Sequence, residues 1–345
     1  MLFRSLASHL VLDQAAILPS IRAMEISVNL ASLQGVPMGK MRIDMTANIQ
    51  QIQQAAQGWS IEVTPAGATK IDSFAACLAP ETTVNVTFLP GTDPMETVAV
   101  TKRLHNEGMK AVPHLAARSL KDTDQLDGLL AAYRAEAGVD EVLIIGGGVD
   151  KPVGAFDNSM QILETGLLQK HGIMRAGVAG HPEGSPDISD LEIADALAAK
   201  NAFAKREGMK LYIETQFCFE APIVLDWEKR VRAAGNELPI RIGIPGPATI
   251  KTLFRFAQIS GIGPSMRFIS KQARNVAKLM TVQSPHMLLS DLAYGMAHDP
   301  DCLIEHFHFY PFGGFGKTAA YANAIAAGDI QLLPKGGFDV IGTAA

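Results

Sequence analysis

The chain alternates short apolar segments with segments of helical periodicity, and it does so eight times between residues 59 and 327. This alternation predicts a parallel sheet, because the crossover between two parallel strands needs a helix-length connection. The predicted strands are Trp59–Thr64, Thr83–Phe88, Lys110–Leu115, Glu141–Ile145, Met174–Ala179, Leu211–Phe219, Ile240–Ile244 and His306–Tyr310. The predicted helices are Thr97–Glu107, Thr123–Ala137, Ser159–Gln169, Leu191–Glu207, Val224–Ala234, Ala248–Ser260, Met287–Ala297 and Lys317–Ala327.

Eight such repeats predict a closed (β/α)8 barrel of the TIM type, in which helices surround a ring of parallel strands. An open, doubly wound sheet is the alternative fold. No linker rich in Pro, Gly or Ser interrupts the repeats, so one barrel domain is predicted over residues 56–345. Residues 1–55 are predicted to be an N-terminal helical extension. A targeting peptide is less favoured, because His9 and Asp13 interrupt the apolar stretch that a secretory signal needs.

Composition limits the classes of partner. The net charge is −5 and no stripe of Lys and Arg is interleaved with aromatic residues, so nucleic acid and membrane surfaces are poor partners. A small molecule is the predicted partner, and homo-oligomerisation is left open. Cys77, Cys218 and Cys302 form no CxxC pair, which predicts a reducing cytoplasm and no disulfide framework. No apolar run approaches the roughly 18 to 20 residues that cross a bilayer.

Residues 211–220 place polar groups among apolar and aromatic neighbours within one predicted strand. Successive strand side chains point to opposite faces of a sheet. Strict alternation therefore puts Tyr212, Glu214, Gln216, Cys218 and Glu220 on one face. A buried Glu or Gln is costly unless it has a partner, so this face is either a structural polar network or the wall of a ligand site.

Polar residues or glycines stand where seven of the eight predicted strands end. They are Glu62, Thr87, His114, Gly146–Gly148, His181, Gln216 and His308. In (β/α)8 barrels the carboxyl ends of the strands carry the chemistry. The glycine run lets the backbone approach a ligand closely. It does not match a dinucleotide fingerprint, because Lys151 stands where G-x-G-x-x-G needs its third glycine.

The strand-end histidines also allow a metal site as an alternative. His114, His181 and His308, with Glu62 or Glu214, could converge on a divalent ion as in barrel hydrolases. The sequence has no HxxxH or HExxH pair at the strand ends, and prolines adjoin two of the three histidines. These features favour a shaped loop over metal coordination, so no metal is predicted.

Eight segments match one enzyme family in order and spacing, from about Trp59 to Ala327. They are Ile61–Pro65, Val86–Thr87, Pro113–Leu115, the glycine turn Gly146–Gly148, Gly180–Pro186, Thr215–Phe219, Phe254–Ala257 and His306–Tyr310. With these segments the chain resembles the methylenetetrahydrofolate reductases, in their bacterial short form. The resemblance implies a barrel flavoprotein with FAD as cofactor, NADH or NADPH as electron donor and a tetrahydrofolate derivative as substrate.

The resemblance also implies a role for each matching residue. Glu62 matches the carboxylate that acts as general acid when the five-membered ring of methylenetetrahydrofolate opens. Gln216 matches the amide that contacts folate, and Phe256 matches the aromatic ring that stacks on folate or nicotinamide. The residues that match segments lining FAD are Thr87, His114, Ile145, Gly146, Gly147, Gly148, His181 and Ser185.

Two loops depart from the family pattern on the flavin side. The family's Arg-Gly-Asp after the fourth strand is replaced by Gly146–Gly148, which leaves Asp150 as the nearest substitute for the missing carboxylate. In the strand-five loop, the family's Tyr and second His fall on His181 and Ser185. Both changes alter the contacts that the flavin would make.

Two charged contacts are also displaced relative to the family. The lysine that reaches the FAD phosphates falls on Ala202, which leaves Lys200 as the candidate. The arginine that meets the folate tail falls on Gly314, which leaves Lys317 as the candidate substrate contact.

The missing carboxylate near the flavin raises the question of reaction direction. With less negative charge nearby, the reduced flavin anion is less repelled, so the reduction potential should rise. We therefore expect interconversion of methylenetetrahydrofolate and 5-methyltetrahydrofolate, with oxidation of 5-methyltetrahydrofolate or a donor other than NAD(P)H as the alternative. An alternative of another class is a barrel that binds folate or nucleotide without redox turnover.

Overall fold

The computed structural model describes residues 46–259 and 280–342, and these residues contain a closed barrel of parallel strands. The barrel strands are β1 (Ser60–Val63), β2 (Thr83–Val86), β3 (Lys110–Ala116), β4 (Glu141–Ile145), β5 (Arg175–Gly180), β6 (Lys210–Phe217), β7 (Ile240–Pro245) and β8 (Ile304–Tyr310). Each strand pairs with the next, and β8 pairs with β1 to close the ring. The predicted (β/α)8 barrel is confirmed, and the open doubly wound alternative is wrong.

Helices connect the strands in the order that the sequence pattern predicts. They are α1 (Ile49–Ala55), α2 (Pro65–Ala68), α3 (Pro94–Asn106), α4 (Thr123–Ala137), α5 (Ser159–Leu163), α6 (Leu167–Lys170), α7 (Asp190–Glu207), α8 (Ala221–Ala233), α9 (Ile250–Ile259), α10 (His286–His298) and α11 (Phe315–Ala327). The apolar core lies between the outer faces of the strands and these helices, as the fully buried Ile61 and Leu130 illustrate.

Several observed helices begin two or three residues away from their predicted starts, and two of the predicted helices differ for a clear structural reason. The segment 159–169 forms α5 and α6, because Gly166 between them adopts a left-handed φ of 71°. The helix predicted from Ala248 begins at Ile250, because Ala248–Thr249 pairs with Val282–Gln283 in a small antiparallel sheet. The predicted last residue, Ser260, lies outside the described residues.

Capping residues set the helix boundaries near the barrel rim. The Asp122 side chain accepts a hydrogen bond from the Gln125 amide at the start of α4, and Gly138 ends that helix at a left-handed φ of 60°. Ser189 and Glu192 form a capping box at the start of α7. These pairings satisfy amide groups that the first helical turn leaves without partners.

The inside of the barrel holds a charged network in place of the branched apolar layers usual in such barrels. The Arg241 guanidinium lies 2.8 Å from the Glu141 carboxylate and 3.6 Å above the Tyr212 ring. The Asn85 amide donates to the Glu214 carboxyl over 2.6 Å. Residues from β2, β4, β6 and β7 therefore meet in the interior.

The first described helix, α1, packs against α10 and α11 and buries Ile52. The rest of the predicted N-terminal extension, residues 1–45, lies outside the described residues. At the other end, an antiparallel hairpin of Ile330–Leu332 and Phe338–Val340 follows α11. Across residues 46–259 and 280–342, no helix has the length and apolar character that a membrane span requires.

Candidate active site

A cavity of about 960 Å³ opens at the carboxyl ends of β1, β6 and β8. Glu62, Phe217 and Tyr310 line it from these strands, Phe256 from α9 and Lys317 from α11. We call it the mouth cavity. It brings together three residues that the sequence singled out, namely Glu62, Phe256 and Lys317.

Glu62 is a half-buried carboxyl group on the floor of the mouth cavity. Its neighbours along β1, Ile61 and Val63, are buried on the opposite face. Burial raises the pKa of Glu62 from 4.5 to about 7. The nearby Thr87 hydroxyl lowers this pKa by a smaller amount, although the two side chains are not in the geometry of a hydrogen bond. Near neutral pH the group is therefore part acid and part carboxylate, which suits general acid–base catalysis.

Aromatic rings form one wall of the mouth cavity. The rings of Phe256 and Phe312 stack with centroids 4.4 Å apart, and the Phe217 ring meets Phe312 edge-on at 4.9 Å. The Tyr310 hydroxyl donates to the Thr215 carbonyl over 3.0 Å, which fixes its ring against Phe217. Phe312 has a φ of 48°, a conformation rarely adopted by bulky residues and common at functional sites.

Strand β6 departs from strict alternation after Glu214. Its register against β7 shifts between Glu214 and Phe217. As a result Phe217 lines the mouth cavity, whereas Gln216 is exposed at the strand end and its carbonyl accepts from Cys218 Sγ over 3.3 Å. The prediction that alternate residues of this strand share one face therefore holds for Tyr212 and Glu214, which lie inside the barrel. It does not hold for Cys218, because the register shift precedes it.

Basic residues surround the entrance of the mouth cavity. Lys70, Lys251, Arg255 and Lys317 line it and are exposed. Among the described lining residues, Glu62 is the one carboxylate. Three of the four cations belong to α9 and α11. Their positive charge makes the entrance attractive to an anionic group, whereas the floor carries the acid Glu62.

Polar residues at the ends of β3 and β5 and on α7 have few partners. Neither ring nitrogen of His114 has a hydrogen-bond partner among the described residues, and burial lowers the pKa of His114 to about 4, so the ring is neutral. Lys200 is 6% exposed, and burial lowers its pKa to about 8. Burial and the Lys200 charge lower the pKa of His181 to about 4. The Ser185 hydroxyl accepts from the Asp187 amide within its own loop.

The glycine turn after β4 brings backbone close to β3. Ile145 is half-buried at the strand end, and Gly147 adopts a φ of 95° with Ala116 so near that an added Cβ would lie 3.3 Å from the Ala116 Cβ. The Arg118 side chain donates to the Asp150 carbonyl over 2.6 Å. The Asp150 side chain is exposed and does not line the mouth cavity.

The strand-end histidines do not gather as metal ligands. The His308 Nδ1 atom lies 2.8 Å from the Ser60 hydroxyl inside the barrel, whereas His181 lies in a loop after β5. Within the part of the chain that the structure describes, no three His, Cys, Asp or Glu side chains are grouped to hold a metal ion. The donor geometry therefore gives the metal alternative no support.

Comparison with known proteins identifies the family. The family model described as methylenetetrahydrofolate reductase matches residues 50–310, well over half of the chain. The chain belongs to the methylenetetrahydrofolate reductase family. Membership makes it an oxidoreductase of the type that acts on folates, on the barrel fold described above.

Solved structures resemble this family member at low sequence identity. An uncharacterized protein from Clostridium thermocellum, which binds two copies of 5-methyl-5,6,7,8-tetrahydrofolic acid, is 12% identical, with a TM-score of 0.45 over 79% of this chain and 98% of that chain. Dihydropteroate synthase from Thermus thermophilus is 13% identical, with a TM-score of 0.37 over 77% of this chain and 92% of that chain. The family assignment depends on the family model alone.

Several residues that line the mouth cavity of this methylenetetrahydrofolate reductase family member were not predicted from the sequence. Phe312 stacks on Phe256, and Lys70, Lys251 and Arg255 add charge to the entrance. The two glycines that follow Phe312 are the signal that could have indicated a turn aimed at the site. The three basic residues are ordinary helix or loop residues in sequence, and only the fold shows that they share one cavity.

Proposed function

We propose that this barrel is a flavin-dependent oxidoreductase that interconverts 5,10-methylenetetrahydrofolate and 5-methyltetrahydrofolate, with Glu62 as its general acid. One observation carries the proposal. A half-buried carboxyl, whose pKa burial raises to about 7, lies on the floor of an aromatic cavity that basic residues surround. Such a cavity suits a substrate with an aromatic ring system, an anionic tail and a nitrogen that must be protonated.

Glu62 protonates the ring nitrogen that leaves when the five-membered ring of the substrate opens. Protonation lets this nitrogen depart as a neutral amine, so the carbon–nitrogen bond breaks with a lower barrier. In the opposite direction the Glu62 carboxylate accepts the same proton. Because the acid form predominates below about pH 7, ring opening should slow as the pH rises above that value.

The aromatic wall and the basic entrance orient the folate. Phe256 and Phe312 present ring faces on which the aromatic parts of a folate can stack. Lys317, Lys251 and Arg255 complement the carboxylates of its glutamate tail. Gln216, exposed at the end of β6, is the proposed amide contact to the folate.

Residues of β3, α7 and the turn after β4 fit FAD. His114 is neutral, with two unpartnered nitrogens that can bond to polar flavin atoms. The buried Lys200 ammonium forms no ion pair or hydrogen bond with another described residue, which suits the FAD diphosphate, and Gly147 permits close backbone approach. The chemistry that FAD supplies when bound is hydride transfer to or from the one-carbon unit. NADH or NADPH is the proposed donor.

One observation favours the oxidative direction as a second candidate function. Gly146–Gly148 themselves carry no carboxylate, and Asp150, the proposed substitute, is exposed with its backbone carbonyl bonded to Arg118. Less negative charge near the flavin favours its reduced anion. The enzyme would then oxidise 5-methyltetrahydrofolate more readily than family members that carry an aspartate there.

The test is anaerobic reduction of the purified protein. The protein is saturated with FAD and freed of excess, and flavin absorbance is then followed after mixing with NADH, NADPH or 5-methyltetrahydrofolate. We expect stoichiometric FAD and bleaching by at least one nicotinamide and by 5-methyltetrahydrofolate. Retention of folate without any FAD binding would overturn the proposal in favour of a non-redox binding barrel.

A further inference from the structure

A second carboxyl group, Glu214, is enclosed in the barrel below the mouth cavity. It is 4% exposed and accepts a hydrogen bond from the Asn85 amide over 2.6 Å. Asn85 is the register partner of Glu62 on the neighbouring strand β2. Asn85 therefore lies beside Glu62 in the sheet and also holds the Glu214 carboxyl by a hydrogen bond.

Among the described residues, no cation is dedicated to Glu214. The Arg241 guanidinium lies 3.9 Å from it but only 2.8 Å from Glu141. His308 lies 3.7 Å away, yet burial and nearby positive groups hold its pKa well below the usual value, so its ring is neutral. Burial raises the pKa of Glu214 to about 8, the Arg241 charge opposes this rise, and the Glu62 and Glu141 charges add to it. Glu214 thus retains a proton at neutral pH.

Several residues that neighbour Glu62 or Glu214 carry buried polar atoms without a hydrogen-bond partner. Among the described residues, buried atoms that lack a hydrogen-bond partner include Asn85 Oδ1, Thr87 Oγ1, Glu214 Oε2 and His308 Nε2. Buried polar groups of this kind are usually satisfied by ordered water, which needs two to four polar partners at its site. These atoms can therefore serve as hydrogen-bond partners for ordered water.

We propose that Glu214 is a proton store for Glu62, which holds a proton inside the barrel and returns it through ordered water while folate covers the mouth cavity. The inference rests on the proposed role of Glu62. The Glu214 O–H bond breaks and an O–H bond forms on the Glu62 carboxylate, with no change in electron count. Glu214 remains as a carboxylate bonded to the Asn85 amide, and solvent restores its proton after product release.

Other titratable or charged side chains also lie in the barrel interior and contribute to the electrostatic environment of Glu62 and Glu214. They are His114 from β3, Glu141 from β4, Arg175 from β5, Tyr212 from β6, Arg241 from β7, and His306, His308 and Tyr310 from β8. Burial holds the three histidines neutral and the tyrosines protonated near pH 7. Burial raises the pKa of Glu62 to about 7 and that of Glu214 to about 8, so both groups change protonation between pH 6 and 9.

The first experiment compares pH profiles of the folate step in wild type and Glu214→Gln. Glutamine keeps the acceptor for Asn85 but cannot release a proton as an acid. In Glu214→Gln only Glu62 can supply the proton, so the rate should begin to fall near pH 7. In the wild type the pair of carboxyls keeps one proton to about pH 8, so the rate should begin to fall about one pH unit later. We expect equal rates at pH 6 and a rate about fivefold lower for Glu214→Gln at pH 8.

The control for that profile is Glu228→Gln, which alters another buried carboxylate, on α8, that pairs with Arg232. Its profile should follow the wild type. A loss in Glu214→Gln that is equal at every pH indicates a structural role only and overturns the inference.

The second experiment needs neither folate nor flavin. Carbon-13 NMR of glutamate carboxyl groups in the wild-type protein, assigned with Glu62→Gln and Glu214→Gln, gives the titration of each group directly. We expect Glu214 to titrate near pH 8 and to shift to lower pH in Glu62→Gln, because the Glu62 charge is removed. Titration of Glu214 near pH 4.5 would overturn the proton store even if the proposed folate reaction is found. Titration near pH 8 without folate turnover would refute the proposed function instead.

Discussion

Replacement of Lys200 by methionine should stabilise the FAD-free protein and weaken its hold on FAD. Lys200 is 6% exposed on α7, and burial lowers its pKa from 10.5 to about 8. At about 1.4 kcal/mol per pH unit, this difference means that burying the charged form costs about 3 kcal/mol at pH 7. Methionine has a similar length and no charge to desolvate, so Lys200→Met should recover most of that free energy of unfolding.

The pH dependence of this gain has a definite sign. The unfolded chain holds the Lys200 proton up to about pH 10.5, whereas the folded protein releases it near pH 8. The cost is therefore fully present below pH 8, shrinks between pH 8 and 10.5, and vanishes above. Urea unfolding followed by circular dichroism, at pH 7 and at the highest pH at which the fold persists, measures both ends of this trend.

The same variant tests the proposed phosphate contact. Loss of a charge-assisted hydrogen bond of about 2 kcal/mol should weaken FAD binding roughly thirtyfold, as measured by quenching of flavin fluorescence. Lys205→Met is the matched control, since Lys205 lies on the same helix, its side chain is 63% exposed and it pairs with Glu237. It should change stability by less than about 0.5 kcal/mol. A Lys200→Met protein that is no more stable than wild type at pH 7 would refute the reasoning.

Three further variants test the mouth cavity. The double variant Lys251→Glu, Arg255→Glu reverses the charge at the cavity entrance and should raise KM for the folate at least tenfold at low salt, with little change in kcat. The control is Lys210→Glu at the amino end of β6, which should leave KM unchanged. Phe312→Ala should raise the dissociation constant of folate threefold to tenfold, since an aromatic pair contributes about 0.5–1.5 kcal/mol; unchanged binding by calorimetry would remove Phe312 from the site. Tyr310→Phe should lower the free energy of unfolding by about 1 kcal/mol, because the Thr215 carbonyl loses its donor, and equal urea midpoints would contradict this.

The barrel could be predicted from sequence because its signals are local. Helix α4 has the predicted limits, since Asp122 and Gly138 mark its ends and apolar periodicity fills the interval. Strand β4 also has its predicted limits. The break at Gly166 was missed because a glycine within a helical pattern is often tolerated, and only its left-handed φ shows that the helix ends there.

The site could be predicted only in part, because its geometry depends on contacts between distant residues. Glu62, Phe256 and Lys317 do share one cavity. The register shift in β6 replaces Gln216 by Phe217 at the cavity wall, and no local pattern indicates a bulge whose cause is pairing with β7. The pairing of Arg241 with Glu141 joins residues a hundred positions apart, so the charged interior appears only with the closed barrel.

The assignment of Glu62 as the acid is tested most directly by separating the two half-reactions in Glu62→Gln. The FAD-loaded variant is first mixed with the nicotinamide that reduces the wild type, and the reduced variant is then mixed with methylenetetrahydrofolate in a stopped-flow instrument. Flavin reduction should proceed at a rate close to wild type, and reoxidation by the folate should be slower by a factor of at least a hundred, as expected for loss of general acid catalysis. Reoxidation of Glu62→Gln at the wild-type rate would contradict the account.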